Sequence, residues 1–261
     1  MKNRIKLILI SAMAAIGLSN CVDVHQIVNV KKDGSGTIEE IMFIKMPPEL
    51  AALGGGGEND PIADLLKGGK QEGRAKGMGE GVEFVSAEPF EGKDGAKGLK
   101  TIFKFADVSK LKLNGDAGMS GLNPDPNAKD ESDPEKLYSF GFEKGDTSKL
   151  TIKTPPMDGI EGADADIDPQ QFAMASQFMK GMRVRVTVKP DGKITKTNAT
   201  YSDASSVTLA DFEMDKLLSD LDKFKEFSSL GDEKDRKKVA AKLKELGIKG
   251  EAQEEVSIEF E

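Results

Sequence analysis

The sequence predicts an α+β fold: an antiparallel sheet built from hairpins, covered on one side by helices, with long Gly-rich loops. Three observations carry this. Apolar and polar residues alternate over several short runs, apolar residues recur at three-and-four spacing over later runs, and the two kinds of run are grouped rather than strictly interleaved. One-sided alternation belongs to antiparallel sheets with a wet face, not to parallel strands buried on both sides.

Residues 1–20 stand apart from that body. Lys2, Arg4 and Lys6 precede an apolar run from Leu7 to Leu18, the order of a secretory signal peptide. Such a run makes only about 18 Å of helix at about 1.5 Å per residue, short of a hydrocarbon core of about 30 Å. It reads as a cleaved leader, leaving residues 21–261 as a single α+β domain.

Strands come first in the body. Val24, Val28 and Val30 share one parity before Asp33-Gly34-Ser35-Gly36, and Ile38, Ile41, Phe43 and Ile44 follow, which is a hairpin with turn chemistry at its tip. Leu99, Thr101, Phe103 and Phe105 alternate with Lys100, Ile102 and Lys104. Tyr138, Phe140 and Phe142 repeat the pattern, and Glu143-Lys144-Gly145-Asp146 turns the chain into Leu150 and Ile152. Met182, Val184, Val186 and Val188 face away from Arg183, Arg185 and Thr187, after which Pro190-Asp191-Gly192 reverses the chain into Ile194 to Tyr201. Val256, Ile258 and Phe260 form the last alternating run.

Helices are expected at three places. Asp168-Pro169 is an N-cap with proline at the first helical position, leading through Phe172, Ala175 and Met179. A second helix is expected from near Thr208 through Met214, Leu217, Leu218, Leu221 and Phe224. A third is expected from about Asp232 to Leu246, ended by Gly247. Residues 54–81 hold ten glycines, interrupted only by a short helix that Asp60-Pro61 could cap, and residues 114–135 are rich in Gly, Asn, Asp and Pro; both windows read as mobile loops, because ordering glycine is entropically costly and little apolar area offsets it.

Cys21 is the only cysteine, so an exported chain has no internal disulfide to make with it. Leu18-Ser19-Asn20-Cys21 resembles the lipobox of bacterial lipoproteins, with Asn20 departing from the small residue usual before the cysteine; looser lipoboxes such as those of spirochaetes are similar. The resemblance implies cleavage between Asn20 and Cys21, lipidation of Cys21, and a membrane partner reached through the acyl chains. Each buried methylene contributes about 0.8 kcal/mol, so two or three chains hold a protein durably without a transmembrane helix. Val22 after the cysteine resembles, in enteric-type sorting, release towards the outer membrane. Loss of Lys2, Arg4 and Lys6 takes the net charge from −8 to −11, which disfavours nucleic acid as a partner.

A second resemblance covers both ends of the body. The acylatable cysteine with its strand and Asp33-Gly34-Ser35-Gly36, then Gly181-Met182-Arg183 to Val188, Asp191-Gly192, Thr197-Asn198-Ala199 and a helix near 209, is similar to the layout of LppM-type bacterial lipoproteins. It implies an α+β domain with lipid or glycolipid binding at the envelope, and it transfers no binding residue.

Chemistry is sparse in the sequence. His25 is the only histidine and lies inside an expected strand, which excludes most zinc sites. The phosphate-loop, dinucleotide, G-x-S-x-G and H-E-x-x-H fingerprints are absent. Ser109 to Lys112 matches S-x-x-K without its companion motifs. Asp158, Glu161, Asp164, Asp166 and Asp168 offer oxygens for a cation, yet the EF-hand register places Pro169 where glycine is needed and Ala175 where a bidentate Glu is needed; a solvated loop is the simpler reading. Arg236-Lys237-Lys238 reads as a solvated helix face, with anionic headgroups as the alternative. Phe103, Phe105, Tyr138, Phe140 and Phe142 read as core, the alternative being an apolar groove for an acyl chain.

The expected function is therefore a lipid-anchored, non-catalytic cell-envelope protein with a ligand- or partner-binding domain. No catalytic, cofactor or metal residue is assigned. The alternatives are lipid or glycolipid binding in a groove between sheet and helices, and a carboxylate-based hydrolase of unfamiliar arrangement.

Overall fold

In the computed structural model, which describes residues 21–45, 61–66, 69–92, 96–115, 136–156, 167–233 and 235–261, the elements run as follows. The first half holds β1 (Cys21–Val30), β2 (Gly36–Lys45), α1 (Pro61–Leu65), α2 (Lys70–Gly77), β3 (Glu83–Glu91), β4 (Lys97–Phe105), β5 (Lys112–Asn114), β6 (Leu137–Glu143) and β7 (Ser148–Lys153). The second holds α3 (Pro169–Met179), β8 (Arg183–Pro190), β9 (Ile194–Thr197), β10 (Val207–Glu213), α4 (Met214–Leu218), α5 (Leu221–Ser229), α6 (Arg236–Glu245), β11 (Lys249–Gly250) and β12 (Glu255–Phe260).

The β1–β2 hairpin follows from its turn. Gly34 takes φ +87°, and Ser35 donates from N–H and Oγ–H to Asp33 Oδ1 at 2.9 and 2.7 Å. Gly36 must be glycine for a different reason: a Cβ there would stand 1.9 Å from the Asn29 carbonyl oxygen. The β6–β7 pairing matches expectation as well, with Phe140 opposite Ile152.

The strands form two sheets where one was expected. A seven-stranded sheet has the order β11-β10-β8-β1-β2-β4-β3, and a five-stranded sheet the order β5-β6-β7-β12-β9. They share one core: Val24, Val28, Ile38, Leu99 and Phe103 of the first pack in the same cluster as Leu113, Phe140, Ile152, Ile258 and Phe260 of the second. Fully burying a side chain of this size contributes about 1.5–3 kcal/mol, so the shared core is what holds the sheets face to face.

Most pairings are antiparallel, but β1 and β8 run parallel, Val24 opposite Val184 and Val28 opposite Val188. One-sided alternation pointed to antiparallel partners throughout, so this parallel pair, whose outer face stays polar, corrects that expectation. Likewise Pro190-Asp191-Gly192 does not close a β8–β9 hairpin. It hands the chain to the other sheet, where β9 pairs with β12, and Lys193 exchanges two backbone hydrogen bonds with Glu261.

The helices also correct the expectation in places. Asp168 caps α3 in a full capping box with Gln171, as anticipated. Residues 207–213, however, are strand β10 rather than the start of a helix: they complete the ladder on the free edge of β8, and a paired backbone outweighs a weak capping signal. The helical stripe then splits at Asp220, which caps α5. The third helix begins at Arg236 on its cap Asp235, and Gly247 at φ +79° ends it. Met214, Leu217, Phe224, Phe227, Val239 and Leu243 of α4–α6 form a second apolar cluster, and Phe212 packs against both clusters.

Within the first glycine-rich window, α1 and α2 are ordered helices, with Ile62, Leu65, Gln71 and Ala75 buried. Residues 54–60 and 67–68 of that window, and 116–135 of the other, lie outside the described residues.

Candidate functional site

Three polar constellations sit on β1, the strand at the middle of the larger sheet. Cys21 is its first residue, opposite Lys45 on β2. The anticipated attachment residue therefore belongs to the central strand itself. The Cys21 side chain and Asn20 lie outside what the structure describes.

On the parity opposite the core valines, β1 and its neighbours carry a charge network. Asp23 accepts from Arg185 Nη2 at 3.0 and 3.2 Å, and Asp211 on β10 takes Arg183 bidentately at 2.9 and 3.0 Å. Burial opposes ionisation of Asp211, but the hydrogen bonds and charge of Arg183 outweigh it and hold its carboxyl below the usual range. His25, on the same strand as Asp23, stands opposite Arg185 and lies 2.9 Å from Thr187 Oγ1. Burial first, then the Arg185 and Lys189 charges, push its pKa down to about 4, so the imidazole is neutral near pH 7. Each carboxylate here already has an arginine. The sequence showed Arg183 and Arg185 on the polar parity; their partner Asp211 was missed because its strand was read as helix.

At the far end of β1 lies an open cleft of about 510 Å³, lined among others by Asn29, Lys31, Thr37, Lys189, Asp191 and Ser205. The Asp191 N–H donates to the Val30 carbonyl at 2.7 Å and pins the floor. Asn29 Nδ2 donates to Thr37 Oγ1 at 3.3 Å across the wall. Lys31 and Lys189 enter no ion pair among the described residues. Lys31 directly follows β1 and Lys189 is the last residue but one of β8, opposite Asn29; nothing in the alternation singled either out.

The third constellation is inside the core. Gln26 Nε2 donates to Glu40 Oε1 at 3.0 Å, and Glu40, only 2% exposed, forms an ion pair with Arg74 of α2. Arg74 also reaches Gln71 Oε1 at 2.9 Å and lies 5.7 Å from the Phe103 ring centroid. Gln71 in turn donates to the Leu65 carbonyl at 2.9 Å, tying α2 to α1.

The remaining candidates resolve as follows. Arg236 is not part of a solvated face: its guanidinium donates to Pro155 O at 2.8 Å, to Thr154 Oγ1, and to Glu251 O and Gln253 O at 3.3 Å. Lys237 and Lys238 beside it are exposed. Phe103, Phe105, Tyr138 and Phe140 are buried in the shared core, and Phe142 packs against it. Of the acidic segment, Asp168 caps α3, while Asp158, Glu161, Asp164 and Asp166 lie outside the described residues. Ser109 sits in a short 3-10 turn capped by Asp107, and Lys112 begins β5. Among the described residues, no group of three or more His, Cys, Asp or Glu is placed to hold a metal ion, and no helix is long and apolar enough to cross a membrane.

No family model matches the chain, and no curated protein matches it. Among solved structures, the NMR structure of the folded domain of LppM from Mycobacterium tuberculosis is similar to it at 13% identity and a TM-score of 0.30, covering 74% of this chain and 82% of that one. A likeness that distant transfers neither a residue role nor a function.

Proposed function

We propose that this is a lipid-anchored, non-catalytic protein of the cell envelope whose body binds a polar ligand or partner. The observation that carries the reading is the position of Cys21. The single cysteine follows a charged-then-apolar leader and is also the first residue of β1, so cleavage before it would release a body whose first residue is already in the sheet. Acylation there would hold the central strand at the bilayer directly. Phe103, Phe105, Tyr138 and Phe140 are buried in the shared core, which favours the polar-ligand reading over an acyl groove lined by those four rings.

Intact-mass analysis of the native protein tests this. The expected species begins at residue 21 and carries diacylglycerol, incorporates radiolabelled palmitate, and partitions into detergent. Cys21→Ser should move it to the soluble fraction. An unmodified cysteine, or membrane partitioning unchanged by the serine, overturns the anchor.

A further inference from the structure

The cleft at the far end of β1 has a topological cause. β1 and β8 are parallel neighbours, and their chains leave in different directions: β1 turns through Asp33-Gly34 into β2 on one side, while β8 crosses through Pro190-Asp191 into the other sheet. Adjacent parallel strands whose connections diverge leave a crevice outside their carboxyl ends, where ligands of open sheets bind. Here that crevice is lined by Asn29 and Lys31 from the end of β1, Lys189 and Asp191 from the end of β8, and Thr37 from the start of β2.

Its charge runs against that of the molecule. The chain carries a net charge of −8, yet two ammonium groups without an ion pair among the described residues line this one cleft. Of the neighbouring carboxylates, Asp33 accepts from Ser35 and feels the Lys31 charge without a close ion pair, and Asp203 accepts from the backbone and hydroxyl groups of Ser205 and Ser206. That leaves Asp191 as the lining carboxylate, alongside an amide and hydroxyls. Two lysines suit the oxygens of a phosphate group, and an acceptor beside amide and hydroxyl groups suits a hydroxylated carrier.

We propose that this cleft binds a water-soluble phosphorylated polyol or sugar, with Lys31 and Lys189 holding the phosphate and Asp191, Asn29 and Thr37 facing the hydroxyls. Water solubility is the part that rests on the anchor reading: nine strand steps at about 3.3 Å put the cleft about 30 Å along β1 from Cys21, so a strand standing upright on its anchor would hold it clear of the headgroups. The cleft itself does not depend on acylation, so the two readings fail separately.

The test is titration of the native protein in detergent with glycerol 3-phosphate, inorganic phosphate and glycerol, followed by calorimetry and by backbone amide shifts. Saturable binding of glycerol 3-phosphate is expected, tighter than that of phosphate, with none for glycerol, and with shifts at Asn29, Thr37 and Asp191. The Lys31→Ala/Lys189→Ala double variant should weaken it about tenfold or more, whereas Lys249→Ala, outside the cleft, should not. Both variants change surface side chains, and an unaltered thermal transition verifies their fold. Three results overturn the proposal: no saturable binding of either phosphate compound, equal binding of glycerol, or affinity unchanged in the double variant. A fourth arm uses Cys21→Ser protein and phosphatidylglycerol vesicles. No lysine-dependent vesicle binding is expected; vesicle binding that requires Lys31 and Lys189 assigns the cleft to a lipid headgroup and overturns the soluble ligand.

Discussion

Glu40 sits on the same parity as Ile38, Met42 and Ile44, where the alternation demands an apolar side chain, and directly opposite it on β1 stands Gln26. Neither break was singled out in the sequence, where Ile41 to Ile44 are all apolar and hide the parity of β2. Nor was the Arg74 that answers them from a helix inside a glycine-rich window. Removing one partner of such a pair leaves a charge stranded in the core, so Arg74→Ala should cost about 3–5 kcal/mol in urea unfolding, while replacing Gln26, Glu40 and Arg74 together by apolar residues of similar size should cost far less. His25 makes a second prediction at this scale. Its folded pKa of about 4 lies below the ordinary value of 6.5, so between those values the unfolded chain binds more protons and stability falls as the solution is acidified. Above pH 6.5 the term is absent. Unfolding free energies measured from pH 7 down to about pH 5, above most carboxylate titrations, should slope less in His25→Asn than in the parent.

Turns and caps were the elements most readily read, because their causes are local: Asp33-Gly34, Asp168-Pro169 and Gly247 act within a few residues of themselves. β10 was misread because its strand character comes from β8, a partner whose paired residues lie 19 to 30 positions away and whose open edge cannot be seen in the string. The start of α6 shows the same limit. Arg236 opens a basic run that looks solvated, yet its guanidinium joins that helix to the carbonyls after β7 and around Glu251. Arg236→Lys keeps the charge and loses the planar fork, so it should lower stability by about 1–3 kcal/mol, nearly as much as Arg236→Ala. Urea melts of the two variants check this; a lysine variant as stable as the parent would mean that charge alone is what α6 needs there.

The arrangement of the whole molecule was the least accessible from sequence, since it depends on pairings between distant segments. β1 meets β8 across about 160 residues of chain, and β12 inserts between β7 and β9. The last strand is thus a middle strand of the smaller sheet, with Val256, Ile258 and Phe260 fully buried. A chain stopped before Glu255 should lose cooperative unfolding altogether, because both β7 and β9 would be left with open edges and the shared core with a trench. Calorimetry checks this: a sharp transition retained by the shortened chain would show that the two sheets hold together without it.

The carboxyl terminus has a practical corollary for anyone handling the protein. Glu261 is stitched by its backbone to Lys193, and its carbonyl lies so near Gly192 that a methyl there would approach to 2.2 Å. A purification tag appended after Glu261 would emerge beside the Asp191-Gly192 bend, at the rim of the lysine-lined crevice. A protease-removable tag keeps that bend clear.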